Sequence, residues 1–184
     1  MNLLLPLAFS GLLMIIGLLL FVFLVSLVIG SLRGAPFVPA GAKQVQNIVR
    51  LAQINPGERA IDLGSGEGRI VRALAGAGAR AEGYEIQPLL VWWANGRSWW
   101  DARHRSEHDK ALFGSAHSYR ANLFKIDYRP YSVVTLYGFP SIMERLRLKF
   151  ETELEPGSRV ISLSFPIPGW QETRKVEGIY VYER

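Results

Sequence analysis

Cysteine is missing from all 184 residues, which excludes a disulfide scaffold, a thiolate metal site, a CxxC redox pair and a cysteine nucleophile. Charge is missing from the opening of the chain: all 21 Lys and Arg and all 16 Asp and Glu lie at or beyond Arg33. There is no GxSxG elbow, no Walker loop, no internal repeat and no low-complexity tract. A net charge of +5 comes without a recognisable reading motif, so nothing points to nucleic acid as a partner.

What remains falls into two unlike pieces. Leu7 to Ile29 is an uncharged apolar run interrupted only by Ser10, Ser26 and two glycines. As a helix rising ~1.5 Å per residue it reaches about 35 Å, enough to span a hydrocarbon layer of about 30 Å. A signal peptide would begin with basic residues and be shorter, whereas Met1 to Pro6 carry no charge. Residues 1–32 are therefore expected to be a single transmembrane anchor. Arg33, Lys43 and Arg50 follow it and nothing basic precedes it, which predicts a cytoplasmic position for the C-terminal side. Residues 33–184 have the length of one ordinary domain with one core.

Within that domain, Pro36-Phe37-Val38-Pro39 cannot continue a helix and reads as a linker or a lid. Val45, Ile48, Val49 and Ala52 recur at helical spacing until Asn55-Pro56-Gly57 stops them. Short strands are expected at 60–63, 81–84, 116–119, 133–137 and 159–165, with helices over 70–75 and 89–102. A helix follows Ser141, which with Glu144 fits a capping box, and carries Ile142, Leu146, Phe150 and Leu154. The tail from Lys175 to Tyr182 supplies one or two antiparallel strands. This alternation predicts an α/β, doubly wound, Rossmann-like sheet, mainly parallel with an antiparallel C-terminal strand.

Asp62-Leu63-Gly64-Ser65-Gly66-Glu67-Gly68 lies between a predicted strand and a predicted helix, where glycines let the backbone pass close beneath a ligand. Glu85 closes the next strand, where a carboxylate can accept hydrogen bonds from both hydroxyls of a ribose. The dinucleotide fingerprint would need glycine at 69, and the chain has Arg69, which weakens a nicotinamide reading.

The glycine turn resembles motif I of the class I S-adenosylmethionine-dependent methyltransferases. Pro36 to Pro39, Asp62 to Arg69, Gly83-Tyr84-Glu85, Val133 to Pro140, and Arg159 with Phe165-Pro166 and Trp170 are together similar to the membrane-anchored lysine methyltransferases of mitochondria. In animals, that family modifies the adenine nucleotide translocase and the ATP synthase c-ring protein. The resemblance implies S-adenosylmethionine as cofactor and a membrane-protein substrate, at a mitochondrial membrane if the source is eukaryotic. It places Asp62, Gly64, Ser65, Gly66, Gly68, Glu85, Asn122 and Phe37 around the cofactor, with Asn122 beside the adenine. Asn122-Leu123-Phe124 departs from the family's usual aspartate, leucine and tryptophan, and Gln87 replaces an asparagine.

Methylation of an amine needs its neutral form, and near neutral pH only about one free lysine in a thousand is neutral. Apolar walls correct this by disfavouring the ammonium. Tyr137, Phe139, Pro140, Phe165, Pro166 and Trp170 follow the ends of the fourth and fifth strands and form the candidate acceptor channel, with Tyr137 open to either core packing or proton transfer. His104 to His108 fits H-x-x-E-H, but its polar surroundings argue against a metal helix, and no metal is expected. Trp92, Trp93, Trp99 and Trp100 form two pairs a helical repeat apart: one face is expected in the core, the other either at a bilayer interface or as part of a solvated basic surface. A lipid or small-molecule amine as acceptor, and a catalytically silent membrane module, remain alternatives.

Overall fold

A computed structural model of the chain describes residues 4–33, 39–106 and 113–184 and divides into two units, Met1–Phe37 and Val38–Arg184. In the first, α1 (Leu4–Arg33) is one continuous helix of 30 residues. Its side chains are described only at 9–22 and 24–25, and among the described residues no helix is long and apolar enough to cross a membrane. The transmembrane anchor expected over 1–32 therefore rests on the sequence.

The second unit runs α2 (Ala42–Ala52), β1 (Arg59–Leu63), α3 (Arg69–Gly76), β2 (Arg80–Glu85), α4 (Pro88–Arg103), β3 (Ser115–Arg120), β4 (Val133–Leu136), α5 (Pro140–Glu153), β5 (Arg159–Leu163), β6 (Arg174–Val176) and β7 (Ile179–Glu183). The strands form one seven-stranded sheet in the order β3-β2-β1-β4-β5-β7-β6. β1 to β5 are parallel, and β7 pairs antiparallel with both β5 and β6, so the tail supplies two strands. Glu177 and Gly178, both at positive φ, close the β6–β7 hairpin in the conformation that suits the strands' right-handed twist.

Two apolar layers sandwich the sheet. Val45, Ile48 and Leu51 of α2 and Ile70, Val71 and Leu74 of α3 cover one face. Met143, Leu146 and Phe150 of α5 cover the other, together with Tyr128 and Tyr131. Every residue of β4 is buried, as expected for a central parallel strand covered on both sides. Each fully buried side chain of this size contributes about 1.5–3 kcal/mol, which makes α5 the main clamp on its face.

One expectation about a helix start changes. α5 begins at Phe139 with Pro140 in its first turn, where the missing N–H costs nothing, so Ser141 is no cap; Glu144 instead pairs with Arg147 at 2.6 Å. Between β3 and β4 the described chain carries only a 3₁₀ turn at Leu123–Lys125. Tyr128 follows it, fully buried and donating its hydroxyl to the Leu123 carbonyl at 2.6 Å.

Candidate active site

The C-terminal edge of the parallel strands gathers the expected cofactor residues. β1 delivers Asp62, and the chain then turns through Gly64, Gly66 and Gly68 at φ +75°, +53° and +73°, values that side-chain-bearing residues rarely adopt. Gly64 N–H and Ser65 N–H both donate to the Tyr84 carbonyl, at 2.8 and 3.1 Å, which pins the turn to the end of β2. A Cβ on Gly64 would meet nothing within 4 Å, so the bare face of the turn opens outward. A Cβ on Gly68 would lie 2.9 Å from Ala94 Cβ, so this glycine instead serves the approach of α4 to the start of α3.

Glu85 is buried and holds the turn from the other side. Its Oε2 accepts from Gly66 N–H at 3.0 Å, and its Oε1 accepts from Ile86 and Gln87 N–H at 2.7 and 2.9 Å. A carboxylate offers about four acceptor positions, so roughly one remains for a sugar hydroxyl. The expectation that it would take both ribose hydroxyls is thereby narrowed, because the loop's own amides use the other positions.

Asp62 is 3% exposed and accepts a hydrogen bond from the Thr135 hydroxyl at 2.8 Å. Burial pushes its carboxyl up to about 7; the Thr135 hydrogen bond opposes this, and the Glu85 charge adds to it. Thr135 escaped the sequence reading, although a hydroxyl in the buried strand Val-Val-Thr-Leu was a visible signal. Its pairing with Asp62 in the β1–β4 register was not.

Ser65 is also buried, and among the described residues its Oγ has no hydrogen-bond partner. An orphaned hydroxyl, an open glycine turn and a carboxylate able to accept once more are a set of hydrogen-bonding groups that a nucleoside cofactor fits. Asn122 stands close by, since Ala121 N–H donates to the Glu85 carbonyl at 3.1 Å. Its own Oδ1 accepts from Phe124 N–H at 3.0 Å and caps the 3₁₀ turn. The oxygen expected to face an adenine amino group is thus engaged locally, leaving the amide N–H₂ as the group that can turn to a base. Phe37 lies outside the described residues, but the chain just after it is held near the turn: Arg69 donates to the Ala40 carbonyl at 2.9 Å. The residue that breaks the dinucleotide fingerprint therefore ties down the entry of the domain.

The candidate acceptor residues separate into two groups. Tyr137, Phe139 and Phe165 come together, with ring centroids 6.5 Å (Tyr137–Phe165) and 5.8 Å (Phe139–Phe165) apart. Pro140 and Pro166 flank them at exposed positions. β4 and β5 end one and two residues earlier than expected, which releases Tyr137 and Phe165 from the sheet. Ser164, at φ +69°, turns the chain after β5, and the Ser162 hydroxyl fixes it by donating to the Phe165 carbonyl at 2.6 Å. Trp170 is elsewhere: it packs on Phe150 and Tyr182 and donates its indole N–H to Glu151 at 2.9 Å. It belongs to the layer under α5 and not to the ring group, because the turn ending at Gly169 directs it back over the helix.

His104 stacks on Trp100, while Glu107 and His108 lie outside the described residues. Among the described residues no cluster of His, Asp and Glu could hold a metal ion.

A mixed sheet in the order 3-2-1-4-5-7-6 with only β7 antiparallel, a glycine turn after β1 and an acid closing β2 define a Rossmann-like domain of the class I methyltransferase type. The particular family follows from direct comparison: residues 62–174 match the ANTKMT methyltransferase domain, and the chain belongs to that family. It is 44% identical over 135 residues to the ATP synthase c-subunit lysine N-methyltransferase of Rattus norvegicus, covering 73% of this chain and 58% of the relative. It is 38% identical over 137 residues to the adenine nucleotide translocase lysine N-methyltransferase of Mus musculus, covering 74% of this chain and 56% of that one. The chain thus spans little more than half the length of these relatives. Among solved structures, an RNA methyltransferase from Salinibacter ruber in complex with S-adenosyl-L-homocysteine superposes with a TM-score of 0.68 at 32% identity, covering 79% of this chain and 93% of that one.

Proposed function

We propose that this chain is a membrane-anchored, S-adenosylmethionine-dependent N-methyltransferase whose acceptor is a lysine of a membrane protein. The observation that carries the reading is the open glycine turn at 64–68 clasped by the buried Glu85 carboxylate, with the unpartnered Ser65 hydroxyl beside it. When bound, S-adenosylmethionine supplies a methyl group already activated on a positively charged sulfur. Gly64 and Gly66 would pass beneath its methionine moiety, Glu85 would accept from its sugar, Ser65 would gain its missing partner, and the Asn122 amide would meet the base.

Lysine as acceptor is supported by the names of the two relatives and by the ring group. Tyr137, Phe139 and Phe165 present apolar surface to an incoming side chain, which lowers an amine's pKa by desolvating the ammonium. The Tyr137 hydroxyl is the polar group among them, able to accept a hydrogen bond from the amine and orient its lone pair.

The anchor is supported by the uncharged run Leu7 to Ile29 and by Arg33 after it, which favours a cytoplasmic-side domain, at a mitochondrial membrane in a eukaryote. A helix apolar on every side finds its partner in lipid or in a much larger core. Tethering would hold the site at high local concentration near membrane-borne lysines.

Calorimetric titration of the full chain in nanodiscs with S-adenosylmethionine is expected to show one site, and NAD is expected to give no heat. Mass spectrometry of membrane proteins from cells with and without the chain is then expected to reveal lysine methylation that depends on it. An unchanged lysine pattern with methyl transfer to RNA or to a lipid amine would replace the acceptor while keeping the enzyme.

A further inference from the structure

Hydrophobic residues surround α4 on all sides, and its tryptophans were expected to divide between core and surface. They do not divide. Of its 16 residues only Ala94 is buried, while Trp92, Trp93, Trp99 and Trp100 are 75%, 52%, 54% and 56% exposed. At about 100° per residue the four indoles, Leu89 and Gly96 fall on the side opposite Ala94. Gly96 lies at the centre of the stripe, three or four residues from each indole, and a Cβ there would meet nothing within 4 Å. This is a continuous outward aromatic face, where single exposed apolar residues would need no explanation.

We infer that this face of α4 docks flat in the headgroup layer of an anionic bilayer. Charge selects that occupant. The exposed Arg97 and Arg103 flank the indoles, with the Arg103 guanidinium 4.3 Å from the Trp99 ring centroid. The helix has a single carboxylate, Asp101, and it is turned away to pair with Arg72 at 3.2 Å. Asn95 is likewise turned inward, exchanging two 2.8 Å hydrogen bonds with the Ser118 backbone. The outward side therefore presents amphipathic indoles and positive charge, the composition that suits lipid headgroups and phosphates.

The inference rests in part on the proposed anchor, which would hold the domain at high local concentration beside a membrane. Because α4 starts directly after Glu85 and Gln87, docking would set the height of the cofactor site above the lipid.

The sequence supplies a clean reporter, since every tryptophan lies beyond residue 91 and α1 has none. The test is indole emission of the full chain mixed with vesicles of phosphatidylcholine alone or with phosphatidylglycerol added, using bromine-labelled lipids and aqueous iodide as opposed quenchers. Docking is expected to shift emission to the blue, to make bromine quench most of it in anionic vesicles, and to shield it from iodide. The double substitution Arg97→Glu, Arg103→Glu is expected to lower the docked-to-undocked ratio by at least ~tenfold while leaving cofactor binding unchanged. Flotation with the vesicles while iodide quenches and bromine does not would overturn docking and leave the anchor standing. Shielding from both quenchers would overturn it in favour of a protein partner. Association with anionic but not neutral vesicles, with bromine quenching, would support docking and overturn the anchor; no association with either would overturn both.

Discussion

The two ends of the parallel sheet are built on opposite principles. At the N-terminal end a carboxylate is held by a cation: Glu58 accepts from Arg159, from the Ser132 hydroxyl at 2.8 Å and from Asn55 N–H at 2.9 Å, which holds its carboxyl below the ordinary range despite partial burial. Beside it, Arg59 pairs with Glu82 at 3.1 Å, and Tyr131 donates to the same carboxylate at 2.6 Å. At the C-terminal end Asp62 is buried on the Thr135 hydroxyl, and among the described residues no cation offsets that burial. One carboxylate is neutralised within its own fold; the other is left for a bound positive charge to meet, as at binding sites.

Predictions that break this contrast can be ranked. Glu85→Ala should have the largest effect, because it strips three backbone amides of their acceptor and removes the sugar contact: cofactor affinity should fall at least ~100-fold by calorimetry, with a lower melting temperature. An unchanged affinity would show that the turn does not hold the cofactor. Glu58→Ala should do the reverse, costing about 3 kcal/mol of stability in chemical denaturation by stranding a mostly buried Arg159, while cofactor affinity of the folded protein stays put.

A third prediction sharpens the contrast through pH. The native chain keeps a proton on Asp62 that the unfolded chain has already released, so between the ordinary aspartate range and about pH 7 this group makes the ligand-free domain less stable as pH rises. A cationic cofactor should favour the ionised form and bind up to ~10-fold more tightly at pH 8 than at pH 6, a dependence that Asp62→Asn should flatten. The smallest effects should come from glycine. Gly64→Ala meets open space and should cost ~1 kcal/mol from φ alone, with a measurable loss of affinity. Gly68→Ala should cost more stability, since its Cβ also collides with Ala94, and should change affinity less.

Much of the fold was legible because short apolar strands alternating with glycine, proline and amphipathic segments leave few arrangements. Six strand regions fell within a residue or two of their places, since burial on both faces demands short, mostly apolar runs such as Val133 to Leu136, where Thr135 alone is polar. What misled was local chemistry with two readings. Ser141 and Glu144 match a capping box, but Pro140 beside them takes the first helical turn. Trp170 looks like a pocket wall until the chain reversal at Gly169 lays it on Phe150. The tryptophans of α4 could not be assigned a side by hydrophobicity, because polar and apolar residues are spread around the helix and only the neighbouring β3, with Ser118 bonding Asn95, decides which side turns in.

By itself the sequence determined an uncharged apolar helix, an α/β domain after it, and a glycine turn with an acid one strand later, because these depend on composition and on spacing along a single chain. The tertiary structure alone decided which atoms are used up: that Glu85 spends three acceptor positions on its own loop, that Asp62 meets Thr135, and that Ser65 is left wanting a partner. Hydrogen-bond occupancy and burial are set by residues far apart in the chain, whose register no local pattern records.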